Sequence, residues 1–377
     1  MNSKQCVYLL GLFMTACGGG DPSSASSLEP AKGDQGAAKA KLAAIPTPQE
    51  IIARTVGAGA RLSSVASAPA ARPSIATAAK LTAPISEYVR FPGGKLLHQS
   101  CVHALPNGAR VTDNGDVVGT NGDVIQHVAP CQYEPILEPH APTGAHQPDA
   151  NGNIEYLYGL PDSASWFDGV VTQVTVPPSP SGFLDDQLFL WSGLVADGTA
   201  NLVIQPVLQY GLPAAACSTG WSNWEMEDYF IDVNNNGFCW EQTAVNPGDT
   251  ITEYTLAISC PDNSGVNCNW LVAYVYNNTT YYGVTPTVPA KPNDAIFQSL
   301  EGYQLGTCNA LPSNSGLGFL SEWYQPVPSW NSYDQSTQIS VGSYGPIIQN
   351  GTNDPTNCAY GVQAAGIGPA LLGELEY

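Results

Sequence analysis

Beyond residue 150 the chain is a succession of short runs in which apolar and polar residues alternate, each ended by glycine, proline or asparagine. Such runs lie at 170–176, 187–190, 202–209, 250–259, 270–276, 281–285 and 296–301, and turn chemistry separates them at 177–180 (PPSP), 234–237 (NNNG), 246–249 (NPGD) and 314–316 (NSG). A period of two sends successive side chains to opposite faces, the signature of strands half covered by a core. No long stretch holds a helical period and no internal repeat of fixed length is present. Many short strands with this punctuation predict an all-β fold, an antiparallel two-sheet β-sandwich.

The run at 202–209 fixes which residues share a face. Leu202, Ile204, Pro206 and Leu208 point one way, and Val203, Gln205, Val207 and Gln209 point the other. Two glutamines on one side of an apolar strand predict a half-buried strand with one wet side. By the same alternation Glu301 lies on the face opposite Leu300, free to line a cleft if Leu300 is buried.

The first part of the chain reads differently. Residues 1–16 have the short apolar stretch and small residues of a signal peptide, and Met14-Thr15-Ala16-Cys17 matches a bacterial lipobox. Cys17 is therefore expected to carry lipid and to tie the protein to a bacterial membrane, outer membrane or cell surface, with export and release as the alternative. Cys17→Ser should move the protein from the membrane fraction to the soluble one, and retention on the membrane would defeat the anchor. Residues 17–84 are rich in Ala, Pro, Ser and Gly and are expected to be a disordered linker. Within it, residues 47–61 can form a short helix capped near Thr47, with Pro48 at its first position and Gly57 and Gly59 ending it.

Eleven of the twelve Lys and Arg lie at or before Arg110, whereas 27 of the 32 acids follow it, so the later part carries about −26 of the formal net charge of −20. Nucleic acid and anionic lipid are excluded as partners of that part, and so acidic a domain suits low pH. Eight cysteines remain beyond the leader, with no CxxC spacing, and predict disulfides in an oxidising compartment. Eight allow 105 pairings. Nearest-neighbour pairing (Cys101 with Cys131, Cys217 with Cys239, Cys260 with Cys268, Cys308 with Cys358) is the working expectation.

Residues 85–150 hold all five histidines and are expected to be an accessory or pro-segment whose imidazoles and basic residues face an acidic surface. His103 lies near Cys101 and His127 near Cys131, yet neither HExxH nor finger spacing occurs, and no metal or other cofactor is expected. Residues 151–377 form the principal domain. It has no histidine, no GxSxG and no phosphate-cradling glycine loop, which removes serine–histidine and nucleotide chemistry. Carboxylates, amides, hydroxyls and aromatics are what remain.

The stretches FLWSGL (189–194) and QPVLQYG (205–211), the turn NPGDTI (246–251) and the strand FQSLEGY (297–303) together resemble the glutamic peptidases of the eqolisin family, closest to secreted relatives with FLWxGL…QPVLQxG. The resemblance implies two packed antiparallel sheets of concanavalin-like outline and an acid-active endopeptidase without cofactor, acting as a monomer on polypeptides. It places the catalytic pair at Gln209 and Glu301, with Trp191, Trp224 and Gln205 along the substrate cleft. Two departures accompany it: Val195 stands where active members have an aspartate, with Asp197 nearby, and the acid register near Trp224 is blurred between Glu225 and Glu227. A carbohydrate-binding or glycan-cleaving sandwich is the alternative, pairing carboxyls among Glu225, Glu227 and Glu301, and a surface protein without chemistry is a third.

Overall fold

The computed structural model describes residues 46–55, 80–92, 95–137, 150–161, 169–181, 187–196, 203–211, 217, 223–261, 265–289, 292–305, 312, 317–325, 337–339, 341–348, 361–367 and 370–376. Among them one α-helix, α1 (Pro48–Thr55), precedes the strands. The accessory segment carries β1 (Tyr88–Phe91), β2 (Lys95–His98), β3 (Val102–Leu105), β4 (Arg110–Val111), β5 (Asp116–Val118), β6 (Val124–His127) and β7 (Ile136–Leu137). The principal domain begins with β8 (Ala150–Pro161), β9 (Gly169–Thr175), β10 (Gln187–Ala196), β11 (Val203–Gly211), β12 (Trp224–Ile231), β13 (Gly237–Trp240) and β14 (Thr243–Val245). It continues through β15 (Thr250–Ser259), β16 (Asn269–Tyr276), β17 (Thr279–Val284), β18 (Pro292–Leu305) and β19 (Leu317–Gln325). The last strands are β20 (Thr337–Ile339), β21 (Val341–Ile348), β22 (Gly361–Ile367) and β23 (Ala370–Glu376).

These strands make the expected sandwich. A nine-stranded sheet runs β21-β8-β18-β10-β11-β12-β13-β3 with β14 beside β12, and an eleven-stranded sheet runs β22-β23-β19-β9-β15-β16-β17-β4-β5-β6 with β20 beside β19. Alternation decides what meets between them. Leu188, Leu190, Leu208, Met226 and Leu300 of the first sheet pack on Val174, Ile251 and Tyr274 of the second. Ile204, Phe230, Phe238 and Trp240 meet Val170, Ala257, Trp270 and Val272 in a second apolar cluster.

The segment 85–150 is built into this body. β3 pairs in parallel with β13 at the edge of the nine-stranded sheet, β4 pairs in parallel with β17, and the meander β4-β5-β6 extends the other sheet. A separate three-stranded sheet, β1-β2-β7, remains. It lies on the outer face of the nine-stranded sheet, where Phe91, Leu97 and Val102 join Phe189, Trp191, Val207, Tyr229 and Tyr303 in one buried cluster. The side of β11 expected to be wet is therefore covered: every residue of the strand is buried, because the chain lays its own hairpin over that face.

The expected linker is also ordered in one place. Thr47 and Glu50 close a reciprocal capping box at the start of α1, with Thr47 N donating to Glu50 Oε2 at 2.8 Å and Glu50 N to Thr47 Oγ1 at 3.3 Å. The helix buries Ile51 against Val171, Tyr254 and Leu271 on the outer face of the eleven-stranded sheet. Tyr254 Oη donates to the Pro46 carbonyl and Tyr282 Oη to that of Thr55, tying down both ends. Three disulfides form as nearest-neighbour pairing predicts, Cys101–Cys131, Cys217–Cys239 and Cys260–Cys268. Cys17, Cys308 and Cys358 lie outside the described residues. The first bridge occupies both thiols that a zinc site with His103 and His127 would have needed.

Candidate active site

The register across β18, β10, β11 and β12 brings the sequence-predicted residues together. Phe189 on β10 lies opposite Glu301 on one side and opposite Gln209 on the other, and Gln209 in turn lies opposite Glu225. Residues directly opposite one another share a face, so Glu301, Phe189, Gln209 and Glu225 form one row on the outer side of the nine-stranded sheet. The next row is Ser299, Trp191, Val207 and Glu227. Glu301 and Gln209 are two strand spacings apart, about 10 Å between their backbones, with both side chains rising on the same side of Phe189. Opposite the Leu300–Glu301 step the pairing of β18 with β8 shifts register by one residue, a bulge that interrupts the regular ladder next to the carboxylate.

Each member of the pair is held from two sides. Glu301 is fully buried, its Oε1 accepting from Trp191 Nε1 at 2.9 Å and its Oε2 from Tyr303 Oη at 3.1 Å. Gln209 Oε1 accepts from Tyr229 Oη at 2.7 Å, and Gln209 Nε2 donates to Glu227 Oε2 at 3.0 Å. The two contacts fix which end of the amide is oxygen and where it points. Among the described residues, one N–H and one lone pair of Gln209 stay uncommitted. Burial pushes the Glu227 carboxyl well above its ordinary range, against the lowering effect of Tyr229, and the neighbouring Glu225 and Asp228 charges add to the rise. Burial raises the Tyr229 phenol likewise.

A cation sits on the same face. Phe91 pairs with Lys95 across the β1–β2 hairpin, which puts the lysine on the side that carries Phe91 and Leu97. Lys95 is 3 % exposed; burial drops its ammonium to about 7, with the negative charge of Glu301 opposing that drop. Arg90 lies 4.0 Å over the Tyr303 ring, and Phe91 meets Tyr229 edge-on at 5.1 Å. Basic residues of the segment thus face the acidic domain as expected. The described histidines divide: His98 bonds Glu87 and stacks on Tyr133, and His127 bonds Asp116, within the segment itself, whereas His103 lies against Phe238 of β13 in the principal domain. His140 and His146 lie outside the described residues.

Of the expected cleft residues, Trp191 and Gln205 lie on this face and Trp224 does not. Trp224 is one residue out of step with Glu225, so it points between the sheets and packs on Tyr210 and Met226. Trp224→Ala is expected to cost about 3–5 kcal/mol of stability by emptying core volume, measured by denaturant unfolding. Trp191→Phe should spare the fold and loosen Glu301, seen as reduced activity. Gln205 lies beside Gly193, where any Cβ would come within 2.9 Å of the Gln205 Cβ, so only glycine lets that side chain lie flat. The side chain of Val195 and all of Asp197 lie outside the described residues. Sequence reading missed Tyr229, Tyr303 and Lys95. Tyr303 had a local signal, two residues beyond Glu301 and hence on its face; Lys95 had none beyond the crowding of basic residues upstream.

Among the described residues the only cluster with metal-ligand spacing is Cys217, Glu227 and Cys239, and both its sulfurs are spent in a disulfide.

Together the layers and the polar row define a two-sheet all-β protein with an amide and a carboxylate aligned on one covered face. No protein-family model matches the chain, and no curated protein matches it. Among solved structures it is similar to scytalido-glutamic peptidase with a transition-state-analogue inhibitor, at 12 % identity and TM-score 0.34 over 60 % of this chain and 98 % of that one. SCP-B, a member of the Eqolisin family of peptidases in complex with a tripeptide, gives 11 % and 0.33 over the same shares. Alginate lyase from Alteromonas sp. 272 gives 10 % and 0.22 over 40 % of this chain and 55 % of that one. Likeness at this level assigns no activity; the chemistry is argued from the row itself.

Proposed function

We propose that the protein is an acid-active endopeptidase in which Glu301 and Gln209 act on one water. The observation that carries this reading is their alignment in a single row on one face, each oriented by two hydrogen bonds. Glu301 takes a proton from the water as it attacks the peptide carbonyl and returns that proton to the leaving amine. Gln209 steadies the water through its carbonyl oxygen and donates its remaining N–H to the developing oxyanion, a dipole set in advance by Tyr229 and Glu227. No step requires a cofactor. Phe189 forms the floor between the two groups, and Trp191 keeps Glu301 upright.

A glycan-cleaving reading would need paired carboxyls about 5–5.5 Å or 6.5–9.5 Å apart. Glu301 stands three strand spacings from Glu225 and Glu227, about 14 Å between backbones. Among the described residues only Glu225 and Glu227 neighbour each other on the face, and Glu227 is tied to Gln209. The purified chain, incubated near about pH 4 with denatured protein and separately with polysaccharides, tests the choice. Release of new amino termini supports the peptidase, whereas sugar release with intact protein substrate overturns it.

A further inference from the structure

The accessory segment holds a second constellation, in which neither Gln209 nor Glu301 takes part. It lies at the open end of the β1–β2 hairpin, where Tyr88 pairs with His98 and the chain turns through Gln99–Cys101. His98 is buried, and its ring is held in one orientation by stacking on Tyr133 at 3.6 Å and 8° and by Tyr88 edge-on at 5.5 Å. Both ring nitrogens are engaged. Nδ1 lies 2.7 Å from Ser100 Oγ and accepts from the Ser100 backbone N–H at 3.2 Å, while Nε2 lies 3.1 Å from Glu87 Oε2. A nitrogen that accepts from a backbone amide carries no hydrogen, so the hydrogen of the neutral ring sits on Nε2 and is donated to Glu87. Nδ1 is then the basic nitrogen, its lone pair shared by the Ser100 amide and hydroxyl, with the shorter bond to the hydroxyl. Ser100 itself is exposed.

We propose that Ser100, His98 and Glu87 act as nucleophile, base and orienting carboxylate in the hydrolysis of carboxylic esters through an acyl-serine, an activity separate from acid proteolysis. Such triads are defined by geometry and role rather than by order along the chain. Here the serine stands two residues beyond the histidine and reaches Nδ1, so the two ring nitrogens exchange their usual parts. Ser100 Oγ attacks the ester carbonyl carbon as its proton passes to His98 Nδ1, and Glu87 stabilises the imidazolium. Protonated Nδ1 no longer accepts from the Ser100 N–H, which frees that amide to meet the oxyanion. The intermediate collapses by breaking the bond to the alkoxy oxygen, which leaves as the alcohol with the proton from Nδ1. Water then attacks the acyl-serine with the same base, releasing the carboxylic acid and restoring Ser100. The surroundings select the acyl group. Among the described residues five large apolar side chains are exposed, and two of them flank this site. Leu81 bridges to Tyr133, whose ring stacks on His98, and Ile85 begins the turn that ends at Glu87. Esters of short apolar acids are the class that fits.

A fluorophosphonate, which transfers its phosphonyl group to an activated serine and expels fluoride, tests the nucleophile directly. The full chain with its disulfides intact is labelled at about pH 8, above the ordinary imidazole range. A single adduct is expected, mapped by tandem mass spectrometry to Ser100 and absent from Ser100→Ala, a change at an exposed position that leaves the packing intact. His98→Gln should slow labelling by at least about 10²-fold, the lower end of what a positioned general base supplies. Glu87→Gln should slow it as well, because an amide cannot balance the imidazolium. Under the same conditions p-nitrophenyl butyrate should be hydrolysed by the wild type, and by Ser100→Ala no faster than by buffer. Absence of an adduct at Ser100 overturns the proposal, as does labelling of His98→Gln at the wild-type rate, or ester hydrolysis that survives in Ser100→Ala. The three residues would then only cap the turn at Gln99–Cys101. Neither result bears on the peptidase reading, since Gln209 and Glu301 take no part in this reaction.

Discussion

Gln209→Ala and Glu301→Gln should each lower turnover of a denatured protein substrate by about 10²–10³-fold or more at acid pH. The two losses have different origins. Gln209→Ala removes the donor that meets developing negative charge, so kcat falls while KM changes little. It also strips Tyr229 Oη and Glu227 Oε2 of their partner, which predicts a modest stability loss of about 1–3 kcal/mol from newly unsatisfied buried groups. Glu301→Gln keeps an acceptor for Trp191 or Tyr303 but removes the base outright, and it leaves Lys95 without its counter-charge. The double variant Lys95→Met/Glu301→Gln restores neutrality and should fold well while staying inactive. Gln205→Ala, two rows away on β11, should lose far less. Wild-type turnover in either single variant would end the dyad mechanism; the sandwich would be unaffected and the carboxyl pair Glu225/Glu227 would become the site to test.

Thermal stability should rise as pH falls from about 7 towards 4, the reverse of ordinary acid denaturation. A polar layer in the core is the reason. Thr172, Ser192, Asp228, Glu253 and Thr255 are buried between the sheets, amid the apolar contacts of both inter-sheet clusters. Thr172 Oγ1 donates to Ser192 Oγ at 2.7 Å, but the carboxyl oxygens of Asp228 and Glu253 make no hydrogen bond. Burial raises both carboxyls well above their ordinary range, and the Asp228 charge pushes Glu253 higher still. Glu227 on the other face is raised for the same first reason. A carboxyl whose folded pKa is raised contributes stability that is complete below its unfolded value near 4 and is lost as pH climbs towards the folded value. Each such group steepens the fall by up to about 1.4 kcal/mol per pH unit. Asp228→Asn and Glu253→Gln should therefore raise the Tm at pH 7 and flatten its dependence on pH, as followed by circular dichroism. A pH-independent Tm in the wild type would show that these carboxyls titrate normally.

What the sequence determined by itself is whatever depends on neighbours along the chain. A period of two is local, so it already sorted Gln205 and Gln209 from Leu208, and Glu301 from Leu300, and the register bears out both separations. Only the structure showed that Trp224 points between the sheets, away from the cleft that the resemblance implied. Capping chemistry at Thr47 and Glu50 is equally local, and α1 begins there. Three disulfides link cysteines adjacent in the chain, the shortest loops to close. Tertiary structure alone decided that the glutamine face is covered and that Lys95 is brought to Glu301 from 206 positions away. It also decided that Asp228 and Glu253 share a core with no cation among the described residues. Nothing near Lys95 in the chain marks it as buried, since a lone lysine beside two leucines reads as an edge residue in water. Its burial follows from long-range packing of Phe91 and Leu97, whose apolar area outweighs the cost of desolvating one ammonium set against a carboxylate.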